Sequence, residues 1–244
     1  RHKNLKIIRY LVSICGFSFV IPSILIVYAV IKLFGINGFY NNYFNFYELF
    51  GINSIYGLKA ILIAHILLNA PFATRLFFQN LDNIPNKYYE ISSSLNLTFF
   101  GNIIKLEIPI IKQNLFSVFS IIFSLCFLSF AIVMVLGGSP LNSTIEVAIY
   151  QFALFELNFN KAIFLSFIQI FICLIFIFIG FNKMKGSKYF EINNTIYTHP
   201  YKNYKFIKLI DYILILILSL FLFSPIVFII LNFFYNGFIE NILF

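Results

Sequence analysis

Hydrophobic and polar positions do not alternate along this chain; the hydrophobic ones come in blocks. Five blocks, approximately Ile7–Phe34, Gly57–Phe78, Pro109–Leu136, Ala162–Phe181 and Ile210–Phe233, are apolar on every face. Each is long enough to cross a bilayer, which takes about 20 helical residues. Transmembrane strands would show segments of about 10 residues with alternating polarity, so the pattern predicts helices. The expected fold class is all-α: a polytopic α-helical membrane protein with about five transmembrane helices. Pro22, Pro71 and Pro225 fall within the blocks. Membrane helices accept proline where neighbours satisfy the freed carbonyl, so each reads either as a static kink or as a bend in a moving helix.

Between the blocks, the segment Gly35–Tyr56 is rich in Asn, Tyr and Phe and has one acid, Glu48. Aromatic rings with a polar edge suit the membrane–water interface, which predicts a short interfacial helix. Gly137–Pro140 reads "GGSP", a helix stop and a turn. Ser143 and Glu146 then have capping-box spacing, which predicts an amphipathic helix starting there. Asn182–Lys208 has poor helical periodicity and six lysines, and reads as a linker between two membrane units. The longest polar stretch is "YYEISSSLNLTFFGNIIKLEIPIIKQN", residues 88–114. Pro85 and Asn86 predict a turn and an N-cap, Lys87–Leu95 a short helix, and Asn96 a left-handed stop. Thr98–Ile108 predicts a second helical piece leading into Pro109 and the next span. The result is a helix–bend–helix hairpin outside the lipid.

Charge fixes which side that hairpin is on. The net charge is +8. Arg1, Lys3, Lys6, Arg9, Arg75, Lys87, Lys105, Lys112, Lys183, Lys185, Lys188, Lys202, Lys205 and Lys208 share one side if five helices alternate, against only Lys32, Lys59 and Lys161 on the other. Positive charge is retained in the cytoplasm during insertion, so the hairpin is expected there. The basic excess is thus a topology signal rather than a nucleic-acid footprint. Cys15, Cys126 and Cys173 each sit in a predicted span. Their odd number and separation argue against a disulfide framework or a metal cluster.

In the hairpin, Glu90 is followed at nineteen residues by Pro109 in "KLEIP". This resembles the EAA loop of ABC-importer membrane subunits: Glu-Ala-Ala, three residues, Gly, nine residues, then Ile-x-Leu-Pro. Glu90 and Pro109 match, Leu106 and Ile108 keep apolar positions, and Ser92 keeps a small residue. Ile91 replaces the first alanine, and Asn96 replaces the glycine, a mild change if that position needs a positive φ. "AHILLNAPFATRLFFQNLDNIP", Ala64–Pro85, resembles the preceding span in permeases of thiamine and iron(III) importers. "LCFLSFAIVMVLGGSPLNSTIEVAIYQFAL", Leu125–Leu154, resembles the following segment, and fits the thiamine type best. With "YGLKAILIAHI", Tyr56–Ile66, the likeness covers most of residues 10–180.

The resemblance implies a type I (MetI-like) permease core in a bacterial inner membrane, working with a cytoplasmic ABC ATPase dimer and a periplasmic substrate-binding protein on a thiamine-like small solute. No cofactor is expected on this subunit; ATP and magnesium belong on the ATPase. Glu90, Ser92, Asn96, Leu106, Ile108 and Pro109 would form the ATPase-coupling loop. Permeases of this subgroup carry two such halves in one polypeptide, so the chain reads as an interior fragment. Residues 1–182 would be the membrane core of the first half, with its coupling loop at 86–109, residues 183–208 a cytoplasmic linker, and residues 209–244 the first span of the second half.

Other polar residues keep two readings. His65 and Asn69 share a helix face and either line a pathway or make an interhelical hydrogen bond; Gln169 is similar. Glu146, beside Tyr150 and Gln151, would cap its helix, meet a binding protein or attract a cationic solute. No phosphate loop, HExxH or G-x-S-x-G motif is present, so a transport permease is expected rather than an enzyme. Alternatives are an iron(III) or other small-solute importer and, more remotely, a secondary transporter or channel, although those usually place charges at the membrane midplane.

Overall fold

The computed structural model describes residues 6–16, 20–45, 55–82, 84–138, 142–184 and 205–242, and every regular element among them is helical. In chain order these are α1 (Lys6–Cys15), α2 (Ser23–Phe34), α3 (Phe39–Phe44), α4 (Leu58–Asp82), α5 (Asn86–Ser94), α6 (Phe99–Asn102), a π turn (Ile103–Glu107) and α7 (Ile108–Phe127). After them come α8 (Ala131–Leu136), α9 (Ile145–Tyr150), a second π turn (Gln151–Phe155), α10 (Phe159–Met184) and α11 (Lys205–Ile242). Four helices have the length and apolar character of membrane spans: Ser23–Phe44, Leu58–Asp82, Phe100–Phe127 and Phe159–Asn182. The bent pair Tyr212–Leu220 and Phe223–Leu231 makes a fifth when counted as one. The all-α, multi-span expectation holds.

Two boundaries differ from the sequence pattern for identifiable reasons. The block Ile7–Phe34 is not one helix: α1 stops at Cys15, and Pro22 is the N-cap of α2, with φ −56 and ψ 131. Proline lacks the amide hydrogen and its ring opposes a preceding helical turn, so it starts a helix here instead of kinking one. The third span begins at Phe100, not Pro109, and leaves helical geometry at Leu128, so Ala131–Leu136 is a separate piece. A short helix does form within Gly35–Tyr56 as α3, where the Tyr40 ring stacks on Phe34 at 5.0 Å, but it falls inside the span Ser23–Phe44 instead of standing apart as an interfacial element. Arg1, Lys3, Glu48, Pro140 and most of the linker (residues 185–204) lie outside the described residues.

The chain forms two compact units, one of Arg1–Phe17, Pro71–Leu125 and Ile172–Ser219, the other of Ser18–Ala70, Cys126–Phe171 and Leu220–Phe244. The second unit holds an apolar core of Ile26, Val27, Val30, Ile55, Ala60, Ile61, Ala64, Leu67, Ile132, Val133, Leu136 and Val147. Gly57, at φ 94, turns the chain into α4 and donates its amide to the Leu136 carbonyl at 2.7 Å. That bond satisfies an orphan acceptor at the end of α8, where none exists in the helix.

The first unit packs by small residues instead. Ser117, Ser120 and Ser124 form a buried stripe on α7. Ser117 Oγ donates to the Gly180 carbonyl at 2.9 Å, and the Phe123 and Phe176 rings stack at 4.1 Å. A Cβ on Gly180 would lie 2.8 Å from Ser120 Oγ. Between lipid-bathed helices there is no hydrophobic drive to associate, so close approach through small residues and hydrogen bonds carries the packing. The opposite face of α10 exposes Phe164, Phe167, Phe171, Leu174 and Phe178, a continuous apolar stripe that water would penalise and hydrocarbon accepts. Gly180→Leu is therefore expected to separate α10 from α7 and lower the thermal stability of the detergent-solubilised protein by several degrees, with Gly180→Ala milder because a serine hydroxyl can rotate away; equal melting of the leucine variant and the parent would contradict this packing.

Candidate functional site

The hairpin is built from short-range chemistry. Pro85, φ −61 and ψ 138, is the N-cap of α5, so Asn86 is the first helical residue and not the cap that its type predicted. Inside α5, Ser93 and Ser94 donate their hydroxyls to the Glu90 carbonyl at 2.7 and 3.0 Å, and Ser92 donates to Tyr89 O at 2.8 Å. Such back-bonding competes with the helix ladder. The helix then closes on Asn96, at φ 51, as the residue type predicted. The Leu97 amide reaches Ser92 O at 3.1 Å and the Asn96 amide reaches Ser93 O at 3.0 Å, the paired bonds of a Schellman stop. Thr98 restarts the chain: its Oγ1 accepts the Gly101 amide at 3.2 Å and its carbonyl accepts Asn102 at 3.0 Å.

The second arm enters the membrane through a π turn. The amide of Ile108 bonds to Ile103 O, five residues back, one residue before Pro109. An α-helical Pro109 would press its ring on the carbonyl four residues earlier and leave that carbonyl unpaired; the wider turn relieves the clash and the span continues. Pro109 therefore does not end a helix. Leu106 and Ile108 are half-buried and Pro109 is exposed.

Across the hairpin's mouth, Tyr89 is buried and its hydroxyl donates to Glu107 Oε1 at 3.4 Å. Burial first, then the Glu107 carboxylate and more weakly Asp82, push the Tyr89 hydroxyl above the usual phenol range. The opposite side of α5 is open: Tyr88, Glu90, Ile91 and Leu95 are exposed, with Tyr88, Ile91 and Leu95 at 44%, 49% and 67%. Tyr88, Ile91 and Leu95 make an apolar stripe on a helix outside the spans, Glu90 is exposed on a polar flank of the same helix with Lys87, Ser93 and Ser94, and Ser92 faces inward at 3% exposure. The six residues expected in the coupling loop lie together in the first unit.

The remaining candidate polar residues belong to the second unit. Asn69 is buried and donates Nδ2 to the His65 carbonyl at 3.0 Å and to Cys126 Sγ at 3.3 Å. That bond to α7 is the interhelical alternative, and it gives one cysteine a structural job. His65 Nδ1 is buried without a partner. Gln169, also buried, donates Nε2 to Glu146 Oε2 at 2.5 Å and lies 3.5 Å from the Phe127 carbonyl. The capping box is not formed: Thr144 is the N-cap of α9 with no side-chain cap bond, and Glu146 turns to Gln169. Gln169 wins because a buried amide left unpaired costs more than a helix end near the surface. Tyr150 lies four residues along α9 with its ring 4.8 Å from that of Phe130, and Gln151 opens the second π turn. Among the described residues no cluster of His, Cys, Asp or Glu has the makings of a metal site.

Residues 1–189 match the family described as binding-protein-dependent transport system inner membrane component. The chain belongs to this family. It is 33% identical over 218 residues to the thiamine transport system permease protein ThiP of Haemophilus influenzae, covering 89% of this chain and 40% of that protein. It is 33% identical to the Escherichia coli ThiP over 164 residues, covering 67% of this chain and 31% of the relative. A shorter match, 28% over 98 residues, covers 40% of this chain and 33% of the probable transport system permease protein NifC of Clostridium pasteurianum. No solved structure matches. The chain thus spans well under half the length of these thiamine permease relatives.

Tyr89 and Glu107 were not visible as a pair in the sequence; the only signal was one acid beside "IP" and a tyrosine eighteen residues earlier. Two expectations follow from the geometry. Asn96→Gly should be tolerated, whereas Asn96→Val should destabilise the bend by about 1–2 kcal/mol, read as faster amide exchange at Leu97. Since the folded state holds the Tyr89 proton more tightly, its contribution to stability is complete below the ordinary phenol value, about 10, and is lost as pH rises beyond it; a melting series should show a shallower alkaline decline for Tyr89→Phe than for the parent.

Proposed function

We propose that this chain is the membrane permease of an ATP-binding-cassette importer that moves thiamine or its phosphates, delivered by a periplasmic binding protein and driven by a separate cytoplasmic ATPase. The observation that carries the reading is the hairpin: α5 stands outside the spans, stiffened by a Schellman stop and by the Tyr89–Glu107 contact, and exposes an apolar stripe of Tyr88, Ile91 and Leu95 with Glu90 on an adjoining polar flank. A stiff element with an apolar face transmits the displacement of whatever docks on it, because its own bend does not absorb the motion. Membership of a binding-protein-dependent family and the names of the thiamine permease relatives supply the class of solute. Iron(III) or another small solute is the competing cargo. ATP and magnesium would be held by the ATPase, and Glu90, Ser92, Asn96, Leu106, Ile108 and Pro109 would serve contact and stiffness in the loop rather than catalysis.

The complete transporter containing this chain, reconstituted in vesicles with its ATPase and binding protein, is expected to take up labelled thiamine only when ATP is supplied. Excess unlabelled thiamine should compete and iron(III) should not. Glu90→Ala should lower uptake by about tenfold, the scale of a typical coupling energy, while leaving membrane insertion intact. Uptake of iron(III) in place of thiamine would overturn the substrate, and ATP-independent uptake would overturn the class.

A further inference from the structure

We propose that Glu146, with the rings of Tyr150 and Phe130, forms a recognition site for an aromatic organic cation, and that Gln169 orients the carboxylate. This rests on the importer reading, since it gives that reading's solute class a place in the membrane component. All of these residues belong to the second unit. Gln169 is 3% exposed and holds Glu146 Oε2 at 2.5 Å, so one carboxylate oxygen is fixed by a buried donor. The other oxygen makes no hydrogen bond among the described residues, and no Lys or Arg there pairs with Glu146. The ammonium of Lys161, fifteen residues further along, lies over the Phe152 ring at 5.2 Å instead. A carboxylate in a membrane protein is normally balanced by a partner or serves a solute path.

The surroundings fit a flat cation. Glu146 and Tyr150 are four apart on α9 and so share a face. Phe130 meets Tyr150 at 4.8 Å and 50°, giving two π faces beside one negative charge, the combination that attracts a delocalised cation. Two buried hydroxyls adjoin the pair in sequence with no partner: Thr144 Oγ1, two residues before Glu146, and Ser129 Oγ, next to Phe130. Buried polar atoms are seldom left unpaired, and here Ser129 lies within the helix break at Leu128–Phe130 and Thr144 at the N-cap of α9, both outside a regular ladder. Acid, rings and unpaired hydroxyls come from α9, from the segment just before it and from the break before α8, with α10 supplying the positioning amide.

The test uses the complete transporter in vesicles with its ATPase and binding protein. Uptake is measured for thiamine and for an analogue whose thiazolium is replaced by a neutral ring. The parent should prefer the cation. Glu146→Gln should lower uptake of the cation by about tenfold without changing that of the neutral analogue, and Glu146→Asp should keep most of the preference. Tyr150→Phe should transport like the parent and Tyr150→Leu should not. Binding-protein-stimulated ATP hydrolysis reports whether each variant assembles. An assembled Glu146→Gln transporter with undiminished cation preference would overturn the proposal; if that variant does not assemble, equal uptake by Tyr150→Leu and Tyr150→Phe does so. Should the parent move no thiamine, the importer reading fails separately. Equilibrium dialysis of labelled thiamine against the solubilised transporter then decides the site: weaker binding by Glu146→Gln supports it, while no binding by the parent, or equal binding by both, sinks it.

Discussion

A backbone inside hydrocarbon has no water to bond with, and this chain is organised by that shortage. Several polar groups at helix ends and crossings are matched by a donor or acceptor from another segment. Gly57 supplies the amide that the end of α8 lacks, Asn69 ties α4 to the thiol of Cys126, and Ser117 closes on Gly180. The serines of α7 contribute twice, as small residues that admit close helix approach and as donors that return to carbonyls of their own or a neighbouring helix. Apolar residues, having no such debt, are left to face the lipid, which is why the phenylalanines of α10 lie outside and its glutamine inside.

The first arm of the hairpin obeys a different constraint, because α5 lies outside the spans, while the second arm already belongs to the span that begins at Phe100. The hairpin's shape comes from bonds between residues close in sequence: three serines folded back on preceding carbonyls, one asparagine with positive φ, one threonine cap. The Tyr89–Glu107 contact joins the two arms at long range. Local bonds of this kind fix an angle without needing a large core, which suits an element that must stay rigid while standing apart from the bundle. The apolar side chains of Ile91 and Leu95 on the outer face of α5 are exposed.

Much of this was legible in the residues. Block length and the absence of alternation gave an all-helical membrane protein, and the residue type at Asn96 gave the sense of the bend. Charge asymmetry gave an orientation that rests on the insertion rule alone. What escaped depended on competition between residues far apart. Ser143 and Glu146 have the spacing of a cap, but Gln169, twenty-three positions on, draws the carboxylate away. Asn86 has the chemistry of a cap, but Pro85 already holds the extended geometry that an N-cap requires. The apolar run Ile7–Phe34 has the length of a span, yet Pro22 opens a helix where hydropathy alone would continue one. The π turn before Pro109 had no separate signature, since proline near the start of an apolar run normally signals only that a helix begins.

That turn, Ile103–Glu107, sets a phase between hairpin and span. One surplus residue in a helix offsets everything beyond it by about 100° of rotation relative to a regular α-helix. The faces of α6 and α7 are therefore not the ones that a simple helical wheel drawn through both would align. A family pattern that places the proline nineteen positions after the glutamate, as Pro109 follows Glu90, would, on this geometry, be conserving an azimuth as much as a distance. Shortening the turn by a single residue would swing α5 around the axis of the span, point its exposed stripe elsewhere and carry Glu107 away from Tyr89, while the serine, asparagine and threonine bonds within Tyr89–Asn102 stay intact.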